Sequence, residues 1–386
     1  MRTIAEIIEN KKESILELEK FLYNNPEIEM EEFKAKDKFI ELLTKENFTI
    51  EKNIEGLPTA FVAYKNFGEG PSIGICAEYD ALPGMGHACG HNLIGATSFG
   101  AAVALAEWIS ETKHNGSVYL FGTPAEETGR GKPGLLKAGW FKNVDVVMMS
   151  HPMKQTVLTL SNVNLEGYDI TFHGRASHAA SAPENGVNAL DAAVIFYDSI
   201  SMLRQQLIDG SRVHMIFTDG GRAVNIIPDT ATVRVEIRHN DFAYFRDIVN
   251  KVCAIAENAA SAAGCTLSIN MFEPPIACVK SNRVMVELFK TALHNVGINE
   301  YVENLKSGGC SDIGNVSQEV PTLYPCVKMV RDTSNAHTRE FLEDADAPLA
   351  VSQMYKVAEC LAEVGASILE QPQLLQEIRK DFERTL

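Results

Sequence analysis

Short apolar strands alternate with helical segments over the first half of this chain, and no other sequence feature constrains the fold as much. Apolar positions recur at helical spacing in residues 3–24 and 33–46, and strand-like runs then end at Asp80, Pro124 and His151. Strands that alternate with helices at this spacing indicate a largely parallel sheet with helices on both faces. We therefore predict an α/β fold for this part of the chain.

A second pattern occupies the middle of the chain. Residues 166–274 are predicted, in order, as strand, helix, strand, strand, helix and strand. This order is the split βαβ plan of a ferredoxin-like unit. The α/β pattern resumes after it, and a domain inserted at the surface of another is tolerated. We therefore predict one domain made of residues 1–165 and 275–386, with a smaller α+β domain inserted at 166–274.

The charge balance restricts the possible partners. The 386-residue chain carries 35 Lys and Arg against 51 Asp and Glu, a formal net charge of −16. An acidic surface repels nucleic acid and anionic membranes, so we expect neither as a partner. A hydrophobic content of 45% with 22% charged residues is typical of a folded globular protein.

Membrane insertion and secretion are also not expected. We find no run of about 18 apolar residues, which a transmembrane helix would need. The N-terminal segment resembles an amphipathic helix and lacks the apolar core and cleavage site of a signal peptide. The eight cysteines are scattered and form no disulfide framework, which points to the reducing cytoplasm. We expect a cytoplasmic enzyme or binding protein.

The segment HACGHN offers two ligands for a metal ion. Cys89 and His91 are two residues apart and would project to one side of an extended segment, while Gly90 permits a tight turn. A thiolate and an imidazole suit zinc, manganese or nickel. Taken alone, the pair fits a loop histidine and a buried structural cysteine about equally well. We leave the adjacent His87 out of the ligand set.

The segment TPAEETGRG places two carboxylates directly after an apolar strand. Glu126 and Glu127 could be a solvated turn, which is the usual reading of an adjacent pair. The preceding strand and the following glycine-rich turn instead place them at the carboxyl edge of the sheet, where ligands bind. In extended backbone their side chains would face opposite ways. One could then bind metal while the other contacts a water molecule.

Two further histidines could complete a metal site. His151 follows an apolar strand and His337 lies in NAHTREF near the C-terminus. A lone histidine is more often structural, but with Cys89, His91 and one glutamate they supply enough ligands for one ion or two. Asp80 could accept a hydrogen bond from a ligand imidazole and fix its tautomer.

These segments together resemble a known family. The ordered set EYDALP, HACGHN, PAEETG, HP, SHAA, NIIPDTATVRVEIR and NAHTREF resembles the metal-dependent amidohydrolases of peptidase family M20. Within that family the chain is most similar to the hippurate hydrolase and aminobenzoyl-glutamate hydrolase branch. The resemblance extends over essentially the whole chain and implies a zinc-exopeptidase-like catalytic domain with an inserted lid domain.

The resemblance also implies a role for each residue of the catalytic domain. Cys89 would bridge two metal ions, Glu126 would be the general base, and Asp80 would orient the site. The remaining metal ligands would be His91, Glu127, His151 and His337. Glu78 departs from the pattern, because relatives carry His or Arg two residues before Asp80. Occupancy by one or two divalent ions therefore stays open, as does the choice among zinc, manganese and nickel.

The inserted domain carries the remaining implied residues. It would act as a lid and form a homodimer, and His178 would reach the partner subunit's site to stabilise the oxyanion. Asn225 and Arg238 match positions that bind the oxyanion and the substrate carboxylate. We therefore expect hydrolysis of an N-acyl amino acid, an aminobenzoyl-glutamate-like compound or a dipeptide. The alternative is a non-catalytic, metal-dependent binding protein on the same fold.

Overall fold

The computed structural model describes residues 1–307 and 309–384, and the chain divides into two compact units. The first unit comprises residues 1–161, 279–307 and the described residues from 311 onward. The second unit comprises residues 162–278 with Gly309 and Cys310.

The central sheet of the first unit has six strands in the order β1-β2-β4-β3-β5-β13. The strands are β1 (Thr49–Glu51), β2 (Phe61–Asn66), β3 (Ser72–Glu78), β4 (Ser117–Thr123), β5 (Val146–Met148) and β13 (Thr322–Leu323). Strand β3 pairs in parallel with β4 and β5, and β13 pairs in parallel with β5. Strands β1 and β2 join antiparallel at one edge. The predicted α/β class with a mostly parallel sheet is confirmed.

Helices pack around this sheet and against one another, with their apolar faces buried. They are α1 (Ile4–Asn24), α2 (Phe33–Lys45), α3 (His91–Thr112), α4 (Gly131–Lys137), α7 (Arg283–Asn295), α8 (Ile313–Glu319), α9 (Arg339–Asp344), α10 (Pro348–Glu370) and α11 (Pro372–Arg384). Helix α3 packs between α1 and α10 and is buried over nearly all of its length. It begins two residues earlier than the predicted Leu93.

Helix α3 also bears on the expectation that no segment spans a membrane. By length and composition it is apolar enough to cross a bilayer, and it is the one such helix in residues 1–307 and 309–384. However, 89% of its most apolar window is buried inside the protein. A core helix of a soluble protein passes the same test, so the apolar run is explained by packing.

A second, four-stranded sheet in the first unit has the order β12-β7-β14-β6. Its strands are β6 (His151–Met153), β7 (Val157–Ser161), β12 (Val302–Lys306) and β14 (Cys326–Lys328). The prediction of one strand ending at His151 is wrong. Strand β5 ends at Met148 in the central sheet, and His151 begins β6 in the other sheet, because the chain changes sheets between them.

The second unit is an antiparallel sheet with two helices. Its elements are β8 (Asn164–His173), α5 (Ala189–Leu203), β9 (Arg212–Asp219), β10 (Thr230–His239), α6 (Phe242–Ala263) and β11 (Thr266–Met271). The strand order is β11-β8-β10-β9, with every pair antiparallel. Alternate residues of β10 are buried, as a strand with one covered face requires. The β-α-β-β-α-β order agrees with the predicted ferredoxin-like plan.

Candidate metal centre and active site

The HACGHN segment forms a tight turn at the start of α3. Gly90 has φ of +80°, and His91 is the first residue of the helix. A Cβ atom at Gly90 would lie 2.5 Å from Cγ of Pro152, so a larger residue would displace the β6 segment. The prediction that Cys89 and His91 share one side of an extended segment is wrong in geometry, because the helix begins between them.

Two groups of potential ligands share the Cys89 thiol. Cys89, His91 and His151 form one group, and Cys89, Glu127 and His337 form the other, with the ligand atoms of each group within 4.8 Å of one another. The Cys89 Sγ atom lies 3.6 Å from Nε2 of His151. The structure therefore brings together all five ligands that the sequence suggested.

His337 reaches this centre through its backbone. Its N–H donates to the Ala88 carbonyl at 2.9 Å, and its φ is +64°, which is uncommon for a residue with a side chain. Its Nε2 atom lies 3.5 Å from Oε2 of Glu127. A distant part of the chain is thus held directly beside the residue that precedes Cys89.

Asp80 connects the segments that contain His91 and Glu127. Its Oδ1 atom and its backbone carbonyl both accept from Nδ1 of His91, at 3.0 and 2.9 Å, and its Oδ2 accepts from the Glu127 N–H at 3.1 Å. With the proton held on Nδ1, the Nε2 lone pair of His91 is available to a metal. Burial alone would raise the pKa of Asp80. His91 and the backbone N–H donors have the larger effect, so the pKa is lowered from its usual value.

The carboxylates of Glu126 and Glu127 approach the same imidazole. Their oxygens lie 3.9 and 3.8 Å from Nε2 of His91. Glu126 to Thr128 form a 3-10 turn preceded by Ala125 in the left-handed region, so the predicted extended backbone is wrong. Both carboxylates group with His91. Glu127 also groups with Cys89 and His337, while Glu126 also groups with buried Glu78 and Asp312. Burial, with Glu78 and Asp312 nearby, raises the pKa of Glu126 well above its usual range.

The sequence did not predict a buried lysine that contacts two carboxylates grouped with Glu126. Nζ of Lys132 donates to Oε1 of Glu78 at 2.6 Å and to the carboxylate of Asp312, and all three side chains are fully buried. Burial alone would lower the pKa of Lys132. The two carboxylates have the larger effect, so the pKa is raised well above its usual range. No local pattern separates this lysine from a solvated one, because its partners come from β3 and from the residue before α8.

The donor set fits a metal ion of borderline softness. Nε2 of His91 and Oε1 of Glu127 are buried and have no hydrogen-bond partner in the described part of the chain. Unpaired buried polar atoms are costly, so such atoms are expected to bind something. Burial lowers the pKa of His151 to about 4, which leaves the neutral imidazole that metals bind. Burial raises the pKa of Cys89 to about 12, an effect that a bound cation would reverse.

The other three predicted site residues lie in the second unit. His178 is exposed, and its Nδ1 accepts from the N–H groups of Ala180 and Ser181, each at 3.2 Å. The Ala179 N–H donates to the carbonyl of Asn225 at 3.0 Å, so the His178 and Asn225 segments lie side by side. Arg238, on β10, donates from Nε to Glu236 at 2.6 Å.

Comparison with known proteins gives a consistent set of relatives. Residues 74–361 match the profile of peptidase family M20/M25/M40. A Xaa-Arg dipeptidase from Mus musculus is 34% identical over 99% of this chain and 91% of its own length. One of the subunits of p-aminobenzoyl-glutamate hydrolase from Escherichia coli (strain K12) is 31% identical over 78% of this chain and 66% of its own.

Solved structures show the same fold at lower sequence identity. An aminobenzoyl-glutamate utilization protein from Klebsiella pneumoniae has a TM-score of 0.73 and 18% identity, with 95% of this chain and 98% of that chain covered. A dinuclear metal binding peptidase from Bacillus subtilis has a TM-score of 0.72 and 19% identity, with coverage of 94% and 99%.

Proposed function

This chain belongs to peptidase family M20/M25/M40, and from that membership we propose that it hydrolyses the amide bond of a small substrate with a free carboxylate, using Glu126 as general base. The family resemblance that the sequence suggested is confirmed, and with it a metallopeptidase or amidohydrolase activity on amide bonds. The residue roles and the substrate below are our proposal.

The observation that supports the proposal most is the pair of ligand groups that share Cys89. We assign one divalent ion to Cys89, His91 and His151, and a second to Cys89, Glu127 and His337. Such ions, when bound, would polarise the scissile carbonyl and lower the pKa of a water molecule toward about 7. Zinc is favoured by the thiolate and imidazole ligands, while manganese or nickel would be bound according to supply.

We propose Glu126 as the general base. Its carboxylate is close to His91 Nε2 but belongs to neither group that contains Cys89. It would take a proton from the attacking water and deliver it to the leaving amine nitrogen. A carboxyl group in a buried, acidic setting holds its proton more firmly, which suits a group that must accept and then donate one.

The second unit would supply the donors for the developing oxyanion. Because Nδ1 of His178 accepts from two backbone N–H groups, the proton of the neutral ring lies on Nε2. Nε2–H is then a fixed donor, and loss of such a donor costs roughly 10²–10³ in rate. Asn225 would add an amide donor. The planar guanidinium of Arg238 suits the substrate carboxylate, which it can bind through two parallel hydrogen bonds.

We propose dipeptides and N-acyl amino acids as the substrate class. The two curated relatives are named for an Xaa-Arg dipeptide and for p-aminobenzoyl-glutamate. Both compounds carry an amide bond next to a free α-carboxylate, which is the feature that Arg238 would recognise. They differ in the charge of the amino-acid side chain, which is cationic in one and anionic in the other.

A hydrolysis screen tests this proposal. Protein stripped of metal and reloaded with zinc, manganese, nickel or cobalt is offered Xaa-Arg dipeptides, aminobenzoyl-glutamate and aromatic N-acyl amino acids. We expect cleavage of at least one class, with none by the stripped protein. Esterifying the α-carboxylate should raise KM strongly if Arg238 binds that group. Tight binding without any hydrolysis would instead support the non-catalytic alternative.

We also propose a homodimer formed through the second unit. Strand β9 is at the edge of its sheet, and its Ile216 and Phe217 are 60% and 42% exposed. Helix α5 adds exposed Val194, Ile195 and Met202. Native proteins rarely leave the edge strand of a sheet and its apolar residues uncovered. Pairing of β9 with β9 of a second copy would cover both.

The test is the mass in solution by light scattering. We expect twice the chain mass, and the monomer mass for Ile216→Lys. A wild-type monomer would refute the dimer. We propose a cytoplasmic location, because the cysteines are scattered along the sequence without the spacing of a disulfide framework. We propose no nucleic-acid or membrane partner.

A further inference from the structure

We propose that Glu32 is a positioning residue for Glu126: its buried carboxylate fixes the loop from which the general base projects. This inference rests on the proposed function, because it assumes that Glu126 is the base. Glu32 immediately precedes α2. It is not part of the strand ends or the loop that carry the candidate site residues. It also belongs to none of the potential ligand groups among the described residues, so it would act through the loop rather than on the reacting atoms.

Three hydrogen bonds connect Glu32 to the catalytic loop and to the central sheet. Its Oε1 atom accepts from the Ala125 N–H at 2.9 Å, and its Oε2 accepts from the Thr59 hydroxyl at 2.6 Å. The Thr59 carbonyl in turn accepts from the Tyr79 hydroxyl at 2.7 Å. Glu32, Thr59, Tyr79 and Ala125 are all 0% exposed. The carboxylate is therefore held in one orientation by groups that are themselves fixed.

The residue that Glu32 binds has an unusual backbone conformation. Ala125 has φ of +53° and ψ of 45°, a left-handed conformation that residues with a Cβ atom rarely adopt. Such a conformation is energetically unfavourable and persists only where the surroundings hold it. Because Ala125 directly precedes Glu126, its φ and ψ set the direction in which the Glu126 side chain leaves the backbone.

Two carboxylates hold this loop from opposite ends. Glu32 accepts from the Ala125 N–H, and Asp80 accepts from the Glu127 N–H. The role of Asp80 follows from its bond to His91. Glu32 is the corresponding partner at the other end of the pair Glu126 and Glu127.

The position of Glu32 on α2 supports a role outside its own helix. It is the N-cap of α2, a position where Ser, Thr, Asp or Asn normally binds the first N–H groups of the helix. The Glu32 side chain makes no such bond. A residue that breaks a local rule at a fully buried position is expected to serve something else, and the bond to Ala125 identifies what that is.

The experiment compares three substitutions that separate reach from charge. Glu32→Gln keeps an oxygen at the same reach, so it should retain kcat within about threefold, by hydrogen-bond equivalence. Glu32→Asp keeps the charge but withdraws the oxygens by one methylene, and Glu32→Ala removes them. For both we expect kcat to fall about 10- to 100-fold with KM little changed, as a displacement near 1 Å would cause. Metal content should stay at the wild-type value in all three.

A control variant and an exchange measurement separate an effect on the loop from a general loss of stability. Leu43→Ala also destabilises α2, because Leu43 is fully buried there, but it has no bond to the loop. Its kcat should be unchanged at a temperature where it is folded. Amide exchange of the peptide around Ala125 should quicken in Glu32→Ala and Glu32→Asp but not in Glu32→Gln or Leu43→Ala.

Several results would overturn the assignment. Equal kcat in Glu32→Ala and wild type would do so, as would a Glu32→Gln variant no better than Glu32→Asp. Metal loss in proportion to the loss of kcat would mean that the loop is held for Glu127 and not for Glu126. If the wild-type protein hydrolyses no amide, the proposed function fails, and the exchange measurement still decides whether Glu32 holds the Ala125 N–H.

Discussion

Glu126 and Glu127 are adjacent in the chain and both approach His91, yet only Glu127 also groups with Cys89. Glu127 lies 3.5 Å from His337 and shares a ligand group with Cys89, while Glu126 groups with neither of these two. We expect Glu126→Gln to lower kcat by about 10²–10⁴-fold while metal content is unchanged, because it removes only a proton acceptor. Glu127→Gln should instead lower metal content. Elemental analysis and kcat for both variants check the assignment, and metal loss in Glu126→Gln would reverse it.

Cys89 is the single residue that both ligand groups share. Cys89→Ser should therefore lower the affinity for both ions, leaving less than one ion per chain after dialysis, because a serine hydroxyl is a far weaker ligand than a thiolate. Cys360→Ser is the matched control, since Cys360 is a buried thiol of α10 that belongs to no ligand group in the described residues. A Cys89→Ser protein that keeps two ions would argue against a bridging thiolate.

At this scale the sequence predicted the candidate ligand residues but not the residues that support them. Cys89, His91 and Glu127 stand in short motifs whose residue types are themselves the signal. Lys132 and Glu32 carry no such signal, because each acts through one buried contact with a residue far away in the chain. Burial and pairing of that kind are properties of the folded molecule, and composition around either residue resembles an ordinary solvated surface.

The contact between α1 and α3 contains an ionisable group whose protonation should affect stability. Glu19 of α1 is fully buried, and its Oε1 accepts from the Asn92 amide of α3 at 2.8 Å. Burial raises the pKa of Glu19 to about 7, although Lys20 opposes the shift and Asp346 adds to it. A carboxyl with a raised pKa in the folded state contributes stability below its unfolded pKa, and that stability is lost as pH rises through about 7.

Glu19→Gln should remove this dependence because its amide does not ionise. We expect the free energy of unfolding of the variant, relative to wild type, to increase by on the order of 2 kcal/mol between pH 5 and pH 8, because only the wild type loses stability over that range. Urea unfolding at the two pH values measures it. Glu9→Gln is the control on the exposed face of α1 and should show no change. A difference that does not vary with pH would refute the assignment.

Secondary structure followed from the sequence where it depends on local periodicity. The predicted spans of α1 and α2 lie within a residue of those observed, and the strand predicted to end at Asp80 is β3, which ends at Glu78. The errors lie where a contact with a distant part of the chain determines the backbone conformation. Glu126 begins a 3-10 turn because Ala125 is held in the left-handed region, and His151 begins a strand of another sheet because it pairs with β14. Neither contact leaves a trace in the local pattern of apolar residues.

At the scale of the whole molecule, our proposal assigns the metal ligands and the base to one unit and the oxyanion donors to the other. The first unit holds the ligand groups and Glu126, and the second holds His178 and Asn225. The proposed homodimer with a shared site makes a prediction that a monomeric enzyme cannot satisfy. If His178 serves the partner's metal centre, then a subunit without its base and a subunit without its histidine can together form one complete site.

Glu126→Gln and His178→Ala should each have little activity when pure. Mixed under conditions that allow subunit exchange, equal amounts form about half hybrid dimers by random pairing, and each hybrid contains one site with both residues intact. We expect activity to recover to about one quarter of wild type. Half of the dimers are hybrids, and one of the two sites in each hybrid is active. This estimate follows from a closed twofold dimer.

Mixing Glu126→Gln with the double variant Glu126→Gln/His178→Ala is the control and should recover nothing, because no subunit then supplies a base. Exchange is verified by mass spectrometry with one subunit isotopically labelled. Hybrids that form without recovering activity would show that each chain completes its own site.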